Sequence, residues 1–407
     1  MQNTEQNKNR ANRVAITGIG IISALGNSVE DNKKALLSSK SGIGKISHIS
    51  TAHAEHIMVG EVDLSNDELI KNLNIPDENN FSRTALLGLH AAKEAIENAK
   101  ITDINSYKTG LISATTVGGM DKTENHLKQF KTTTEVQKYI LSHHAGDSTQ
   151  KIADELGMTG FTTTISTACS SAANAITLGS RLIESGKLQR VIVGGTDALS
   201  RFTINGFKSL MLQSNKICKP FDANRNGLNL GEAAAYLVLE SETIAQQENK
   251  TVLGYVSGYG NTNDAFHQTA SSDDGEGAFL AMKKALQKAN LQPQDIDYIN
   301  AHGTATLNND LSESVALQRI FNNSIPDFSS TKAFTGHTLA AAGAVEAVFS
   351  IFALQEHVVL PNLNFETTIS EAGLIPITEL KHKKIKHILS NSFGFGGNCS
   401  SLIFSKI

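Results

Sequence analysis

Little in this chain ties it to a membrane, a nucleic acid or an oxidising compartment. Three cysteines in 407 residues, at unpaired spacings, are too few for a disulfide framework and match no zinc motif. They point instead to a reducing compartment, the cytoplasm. No apolar run reaches membrane-spanning length. The opening Met1-Gln-Asn-Thr-Glu-Gln-Asn-Lys-Asn-Arg lacks the apolar stretch of a signal peptide, and residues 1–12 are expected to form a frayed tail. A formal charge of −4 argues for neither nucleic-acid nor membrane binding. Six prolines and no low-complexity linker argue for one compact body.

What is present is a long alternation of strand-like and helical stretches. Hydrophobic residues make up 40% of the chain, enough for a large core. Strands are expected over 13–23, 108–114, 161–167, 189–194, 233–239, 252–260, 296–300 and 387–392. That rhythm favours an α/β fold whose central sheets are covered on both faces by helices. A faint internal echo accompanies it. Val14-Ala-Ile-Thr-Gly-Ile-Gly and Val252-Leu-Gly-Tyr-Val-Ser-Gly-Tyr-Gly both read as a strand closing on a Gly-x-Gly turn. Residues 166–180 and 338–352 both read as small-residue helices that can lie buried between sheets. The Gly18-Ile-Gly20 turn lacks the third glycine and the later acidic residue of a dinucleotide fingerprint.

Cys169 stands where the β-branched run Phe161-Thr-Thr-Thr-Ile gives way to such a helix. A helix start gathers free N–H groups and the positive end of the macrodipole, which favour thiolate over thiol. Position alone also fits a small buried hydrophobe. Two histidines far downstream shift the balance. His302 lies in Ile299-Asn-Ala-His-Gly-Thr-Ala-Thr and His337 in Thr331-Lys-Ala-Phe-Thr-Gly-His. Each ends an element beside glycine, where an imidazole can face a cavity and the backbone can approach a ligand. Core packing has no need of that constellation.

With Thr167-Ala-Cys-Ser-Ser, Lys219-Pro-Phe-Asp-Ala-Asn-Arg-Asn-Gly and Asn391-Ser-Phe-Gly-Phe-Gly-Gly in the same order, the chain resembles the β-ketoacyl-acyl-carrier-protein synthases. These are Cys-His-His condensing enzymes of the thiolase superfamily. The resemblance implies a thiolase-like fold: two similar βαβαβ-type halves, residues 13–250 and 251–407, packed as an α/β/α/β/α body. Insertions around 45–140 would build the dimer contact and substrate access. It implies decarboxylative Claisen condensation of an acyl group held on Cys169 with a malonyl group, in fatty acid or polyene/polyketide biosynthesis. His302 and His337 would donate Nε2–H to the malonyl thioester oxygen, and the N–H groups of Cys169 and Phe395 would form an oxyanion hole. Lys332 and Glu346 would be an internal ion pair ordering His337. Thr304 and Thr306 would meet the pantetheine arm; Phe207, Val117, Phe393 and Phe395 would line the substrate pocket. Asp310 fits a helix cap or an active-site carboxylate equally well.

No cofactor or metal is implied. The partners would be acyl carrier protein bearing acyl and malonyl groups, docked on Lys128, Lys131 and Lys208, and a second subunit. That subunit would be an identical copy or a chain-length-factor-like protein. Several motifs depart from the commonest fatty-acid-synthase form: Leu307-Asn-Asn-Asp310, Asn398-Cys-Ser-Ser401 and Gly231-Glu-Ala-Ala-Ala. They point to specialised synthases of the aryl-polyene kind. Two other readings compete. A CoA-dependent thiolase would need a second catalytic cysteine, for which Cys399 is the candidate. A chain-length factor would ordinarily lack Cys169.

Overall fold

The computed structural model describes residues 13–322 and 324–406; the expected tail at 1–12 lies outside them. Ten strands carry the architecture: β1 (Val14–Ser23), β2 (Thr109–Ala114), β3 (Phe161–Ile165), β4 (Arg190–Asp197), β5 (Ala233–Ser241), β6 (Gly254–Asn263), β7 (Tyr298–Asn300), β8 (Asp327–Ser329), β9 (His387–Phe393) and β10 (Asn398–Ser405). Their order is β8-β7-β9-β10-β6-β1-β5-β4-β2-β3. The seam between β6 and β1 is three antiparallel residue pairs, Val14 to Val256, Ala15 to Tyr255 and Ile16 to Gly254. On each side of it lies the same five-strand plan. β1–β5–β4 and β6–β10–β9 are antiparallel, and β4–β2–β3 and β9–β7–β8 are parallel. The echo between the two Gly-x-Gly strands is therefore a duplication of topology.

The strands sort their side chains by parity, as a pleated strand must. Along β5, Ala233, Ala235, Leu237 and Leu239 enter one core, while Ala234, Tyr236 and Val238 enter another. The first core is the central layer. It is filled by α2 (Ser171–Glu184) and α6 (Ala342–Glu356) and closed on its other side by β6, β7, β9 and β10 residues such as Val256, Tyr298, Ile388 and Leu402. Outside the first half-sheet packs α1 (Arg83–Asn98), and α3 (Arg201–Ser209) follows β4. Outside the second pack α4 (Glu276–Ala289) and α5 (Leu307–Phe321), whose Ala281, Ala285 and Leu317 meet Ile299 and Leu389. Five layers result.

Small residues make the central layer possible. A Cβ on Gly343 would meet the Ala173 backbone nitrogen at 2.7 Å and its Cβ at 3.0 Å, so α2 and α6 touch backbone to backbone. Every residue from 342 to 354 is buried. Val345, Val348, Phe349, Ile351, Phe352 and Leu354 each contribute roughly 1.5–3 kcal/mol by leaving water. This helix corrects one expectation. Leu339–Glu356 is long and apolar enough to cross a membrane, but 89% of that window is buried inside the fold, as the innermost helix of the protein.

Two strands of the main sheet escaped the sequence reading. β8 has only three residues, and β10 begins Asn-Cys-Ser-Ser, which carries no β-branched pattern; both are strands because of their neighbours. β3 stops at Ile165 instead of Thr167, because Ala168 adopts the left-handed conformation at φ 53° and turns the chain. The first half also holds the longer connections. Among the described residues, a helix at Asn66–Leu73 and the turns around Met120–His143 have no counterpart in the second half, whereas the two-residue ladder Gly44–Lys45 with Met58–Val59 is matched by Val358–Val359 with Lys381–His382.

Candidate active site

Both parallel crossovers deliver their reactive residues to one place. Cys169 follows β3 and precedes α2; His302 follows β7; His337 lies between β8 and α6. Residues in these loops open at the carboxyl ends of parallel strands, where such sheets leave a crevice. The cavity there measures about 260 Å³ and is lined by Cys169, His302, His337, Phe393 and Phe395. Cys169, His302, His337, Lys332 and Glu346 are each at most 5% exposed.

The hydrogen bonds assign both histidine tautomers. His337 Nδ1 accepts the Leu339 N–H at 3.2 Å. His302 Nδ1 lies 3.3 Å from Lys332 Nζ, which can only donate. Each ring therefore carries its proton on Nε2. Burial holds both imidazoles well below their ordinary range, helped by the Lys332 charge, so both are neutral. The two rings meet edge to face, 5.5 Å apart at 87°, and Phe393 packs on His302 at 5.5 Å.

Lys332 and Glu346 form a buried ion pair, and Ser392 Oγ reaches the other carboxylate oxygen at 3.5 Å. Burial pushes Glu346 up and the lysine pulls it back. The expectation that this pair orders His337 needs correction. Lys332 starts the turn after β8, next to β7, whose end carries His302, so its ammonium reaches His302. His337 takes its Nδ1 donor from the backbone.

Around the sulfur, the N–H groups of Phe395 and of Cys169 itself point at Sγ. Gly394 permits this approach, since a Cβ there would meet Thr167 O at 2.9 Å and Cys169 N at 3.1 Å. The expected thiolate is not the resting state. Burial pushes the Cys169 thiol up to about 11, outweighing Lys332 and the two N–H groups. Desolvation of the anion exceeds what one helix terminus supplies.

Thr304 and Thr306 both line the cavity, their hydroxyls 2.9 Å apart. Phe207 stacks on Phe395 with centroids 5.7 Å apart, closing one wall. Val117 does not line the cavity; its N–H donates to Asp197 at 3.3 Å. Asp310 is neither a side-chain cap nor a cavity group. Its carboxylate accepts Phe221 N–H at 2.7 Å and Ala305 N–H at 3.1 Å, tying down the His302 loop from below. Cys399 lines the cavity as well, its thiol pushed up to about 12 by burial and the nearby Asp264 and Glu313 carboxylates.

Three supporting residues escaped the sequence reading. Glu313, fully buried and pushed up to about 7 by desolvation, accepts the N–H groups of His302 at 2.9 Å and Gly303 at 2.8 Å. Its spacing three after Asp310 puts both carboxylates on one helix face, a signal that was available. Asn398 Oδ1 accepts from Ser170 Oγ at 2.7 Å, Asn174 Nδ2 at 2.8 Å and Asn261 Nδ2 at 2.9 Å, joining the Phe395 loop to α2, the helix that follows Cys169. Asp197 receives donors from two loops. Among the described residues, no group of three or more His, Cys, Asp or Glu side chains is disposed to hold a metal ion.

Comparison with known proteins bears on what the site does. The family model described as Beta-ketoacyl synthase, N-terminal domain, matches residues 11–245, and Beta-ketoacyl synthase, C-terminal domain, matches 253–366. The 3-oxoacyl-[acyl-carrier-protein] synthase 2 of Staphylococcus aureus (strain N315) is 34% identical over 97% of this chain and 98% of its own length. Among solved structures, the ishigamide ketosynthase/chain length factor matches with a TM-score of 0.91 and 28% identity, over 97% of this chain and 99% of that one. A ketosynthase in complex with its chain length factor from Xenorhabdus doucetiae matches at 0.84 and 32%, over 97% and 98%.

Proposed function

Because the chain belongs to the β-ketoacyl synthase family, and is thus an acyltransferase of the condensing type, we propose that it works through Cys169, His302 and His337. The observation that carries the assignment is the convergence in one cavity of a thiol, two N–H groups aimed at its sulfur, and two neutral imidazoles protonated on Nε2.

Cys169 Sγ attacks the carbonyl of an acyl-carrier thioester. The oxyanion is held by the N–H groups of Cys169 and Phe395. The carrier thiol leaves with the cysteine's proton, and the acyl group stays on sulfur. A malonyl-carrier thioester then binds with its carbonyl oxygen facing the Nε2–H groups of His302 and His337. Charge gathers on that oxygen as the carbon–carbon bond to carbon dioxide breaks. Two fixed donors in a dry site stabilise the enolate without reorganising. Its carbon attacks the Cys169 thioester, the same oxyanion hole serves again, and the thiolate leaves and takes a proton from water. Lys332 holds His302 in the donating tautomer, and Thr304 and Thr306 receive the pantetheine amides.

The thiolase alternative fares poorly. It would use Cys399 as an acid–base group, yet two carboxylates and burial keep that thiol protonated. A chain-length factor would not keep the reactive set that Cys169 completes. The motif departures at 307–310, 398–401 and 231–235 favour a specialised, aryl-polyene-type pathway, and three free cysteines fit a reducing compartment, the cytoplasm. The likeness to ketosynthases solved with chain length factors favours a second subunit, and its proposed place is β3, one of the two outer strands of the sheet. Its edge is unpaired among the described residues and Phe161 is 43% exposed; such an edge is ordinarily covered. A chain-length-factor-like partner is the proposed occupant, a second identical copy the alternative.

Intact-protein mass spectrometry after incubation with acyl-carrier thioesters tests the assignment. One acyl mass should appear and map to Cys169. Acyl groups on Cys218 or Cys399 would overturn it.

A further inference from the structure

Asp197, the last residue of β4, is fully buried and touches none of the reacting groups placed above. Five donors from two loops converge on its carboxylate. Thr115 Oγ1 and Thr116 Oγ1 each donate at 2.5 Å, Thr116 N–H at 3.1 Å and Val117 N–H at 3.3 Å, all from the loop after β2. The fifth comes from the other half of the chain: Ala340 N–H, at 2.9 Å.

Ala340 follows Leu339, whose N–H is the donor to His337 Nδ1. Leu339 holds φ at 53°, a left-handed conformation unfavourable for a residue with a branched side chain. The backbone of His337 is fixed separately, by its N–H on Asn229 O at 2.7 Å and its carbonyl accepting Gly231 N–H at 2.9 Å. These bonds set where the ring begins and leave its rotation free. Rotation and tautomer are set by the Leu339 amide, and that amide is set by the strained turn. Within the turn Ala341 N–H reaches Thr338 O at 3.1 Å, and the buried Ala340 N–H, whose acceptor is Asp197, ties the turn to the rest of the fold.

We infer that Asp197 is a positioning residue for His337: by fixing the Ala340 amide it aims the Leu339 amide at Nδ1 and keeps the imidazole proton on Nε2, facing the cavity. This rests on the ketosynthase reading, in which His337 serves decarboxylation and not acyl loading. Charge supports the division, since a carboxylate near Cys169 pushes its thiol up and cannot be there to activate it.

Asp197→Ala tests the inference in the full-length protein. Release of carbon dioxide from a malonyl-carrier thioester should fall on the order of tenfold to a hundredfold, the scale for a displaced catalytic group. Acyl loading of Cys169 should stay within about threefold of wild type. A second readout does not use activity. In protein labelled with 15N-histidine, the His337 ring, identified by its absence in His337→Gln, should pass from a pure Nε2–H tautomer to a mixture. The double variant Thr115→Val/Thr116→Val keeps the carboxylate but frees it, and should shift both readouts the same way; it serves if Asp197→Ala does not fold. Parallel loss of both half-reactions in folded protein, or an unchanged His337 tautomer, would overturn the inference. Wild type that performs neither half-reaction would instead count against the ketosynthase reading, and the tautomer readout would still decide the role of Asp197.

Discussion

The buried Lys332–Glu346 pair permits the sharpest energetic test. Both side chains are 3% exposed, and among the described residues their charged ends have no hydrogen-bond partners besides each other, Ser392 Oγ and His302 Nδ1. Two charges so far from water are tolerable only together. Lys332→Met leaves a buried carboxylate without its cation; Glu346→Leu leaves a buried ammonium without its anion. Breaking such a pair from one side costs about 3–5 kcal/mol, whereas replacing both partners by apolar groups of similar volume is close to neutral. Each single variant should therefore lose about 3–5 kcal/mol of unfolding free energy in urea, and the double variant should recover most of it. The Lys332→Met deficit should shrink as pH falls, because burial already raises Glu346 and protonation removes the stranded charge. Activity should not follow stability. In the double variant His302 still lacks its Nδ1 donor, so malonyl decarboxylation should stay down on the order of a hundredfold, the scale of one lost oxyanion donor. A coupling energy below about 1 kcal/mol in the urea cycle would refute the reasoning. So would recovery of decarboxylation alongside stability.

Gly343→Val should separate α2 from α6 and destabilise the fold by about 1–3 kcal/mol, read as a lower urea midpoint at unchanged slope. Alkylation of Cys169 by iodoacetamide in the free protein should keep accelerating beyond pH 9, since its thiol is held up to about 11. With the folded value above the ordinary 9.0, the thiol's stabilising contribution is present below pH 9 and disappears as pH rises through 11; Cys169→Ala should lack that loss. The two histidines act in the opposite direction. Their folded values lie well below 6.5, so stability should decline as pH drops below 6.5, and less steeply in His302→Gln/His337→Gln. Charge reversal at Lys128, Lys131 and Lys208 should raise KM for carrier-bound substrate while leaving a small pantetheine thioester unaffected, because acyl carrier proteins are acidic; an equal response of both substrates places the docking surface elsewhere.

Much of the fold was legible because its determinants are local. Short apolar runs alternating with helical stretches marked eight of the ten strands of the main sheet, and Ser/Ala/Gly-rich stretches marked the two helices whose backbones touch in the central layer. The three reactive side chains were legible for the same reason, each standing at an element end beside small residues. β8 and β10 were not, since three residues and a Ser-rich run become strands only through partners far along the chain. The protonation states lay further still from local pattern. A helix start favours thiolate, but how much water the fold removes from Cys169 is a property of the assembled cavity, and desolvation won. The spacing of Lys332 and Glu346 identified an ion pair, but which imidazole it serves depends on β8 lying beside β7. Asp197 had no visible role until two loops from opposite halves of the chain closed over its carboxylate, and Glu313 showed only its spacing from Asp310 until the His302 loop set two N–H groups on it. Sequence alone determined which chemical groups this protein has and which elements carry them. Tertiary packing decided which groups meet, how dry they become, and on which nitrogen each proton sits, because hydrogen-bond geometry and dielectric arise only once distant segments are in contact.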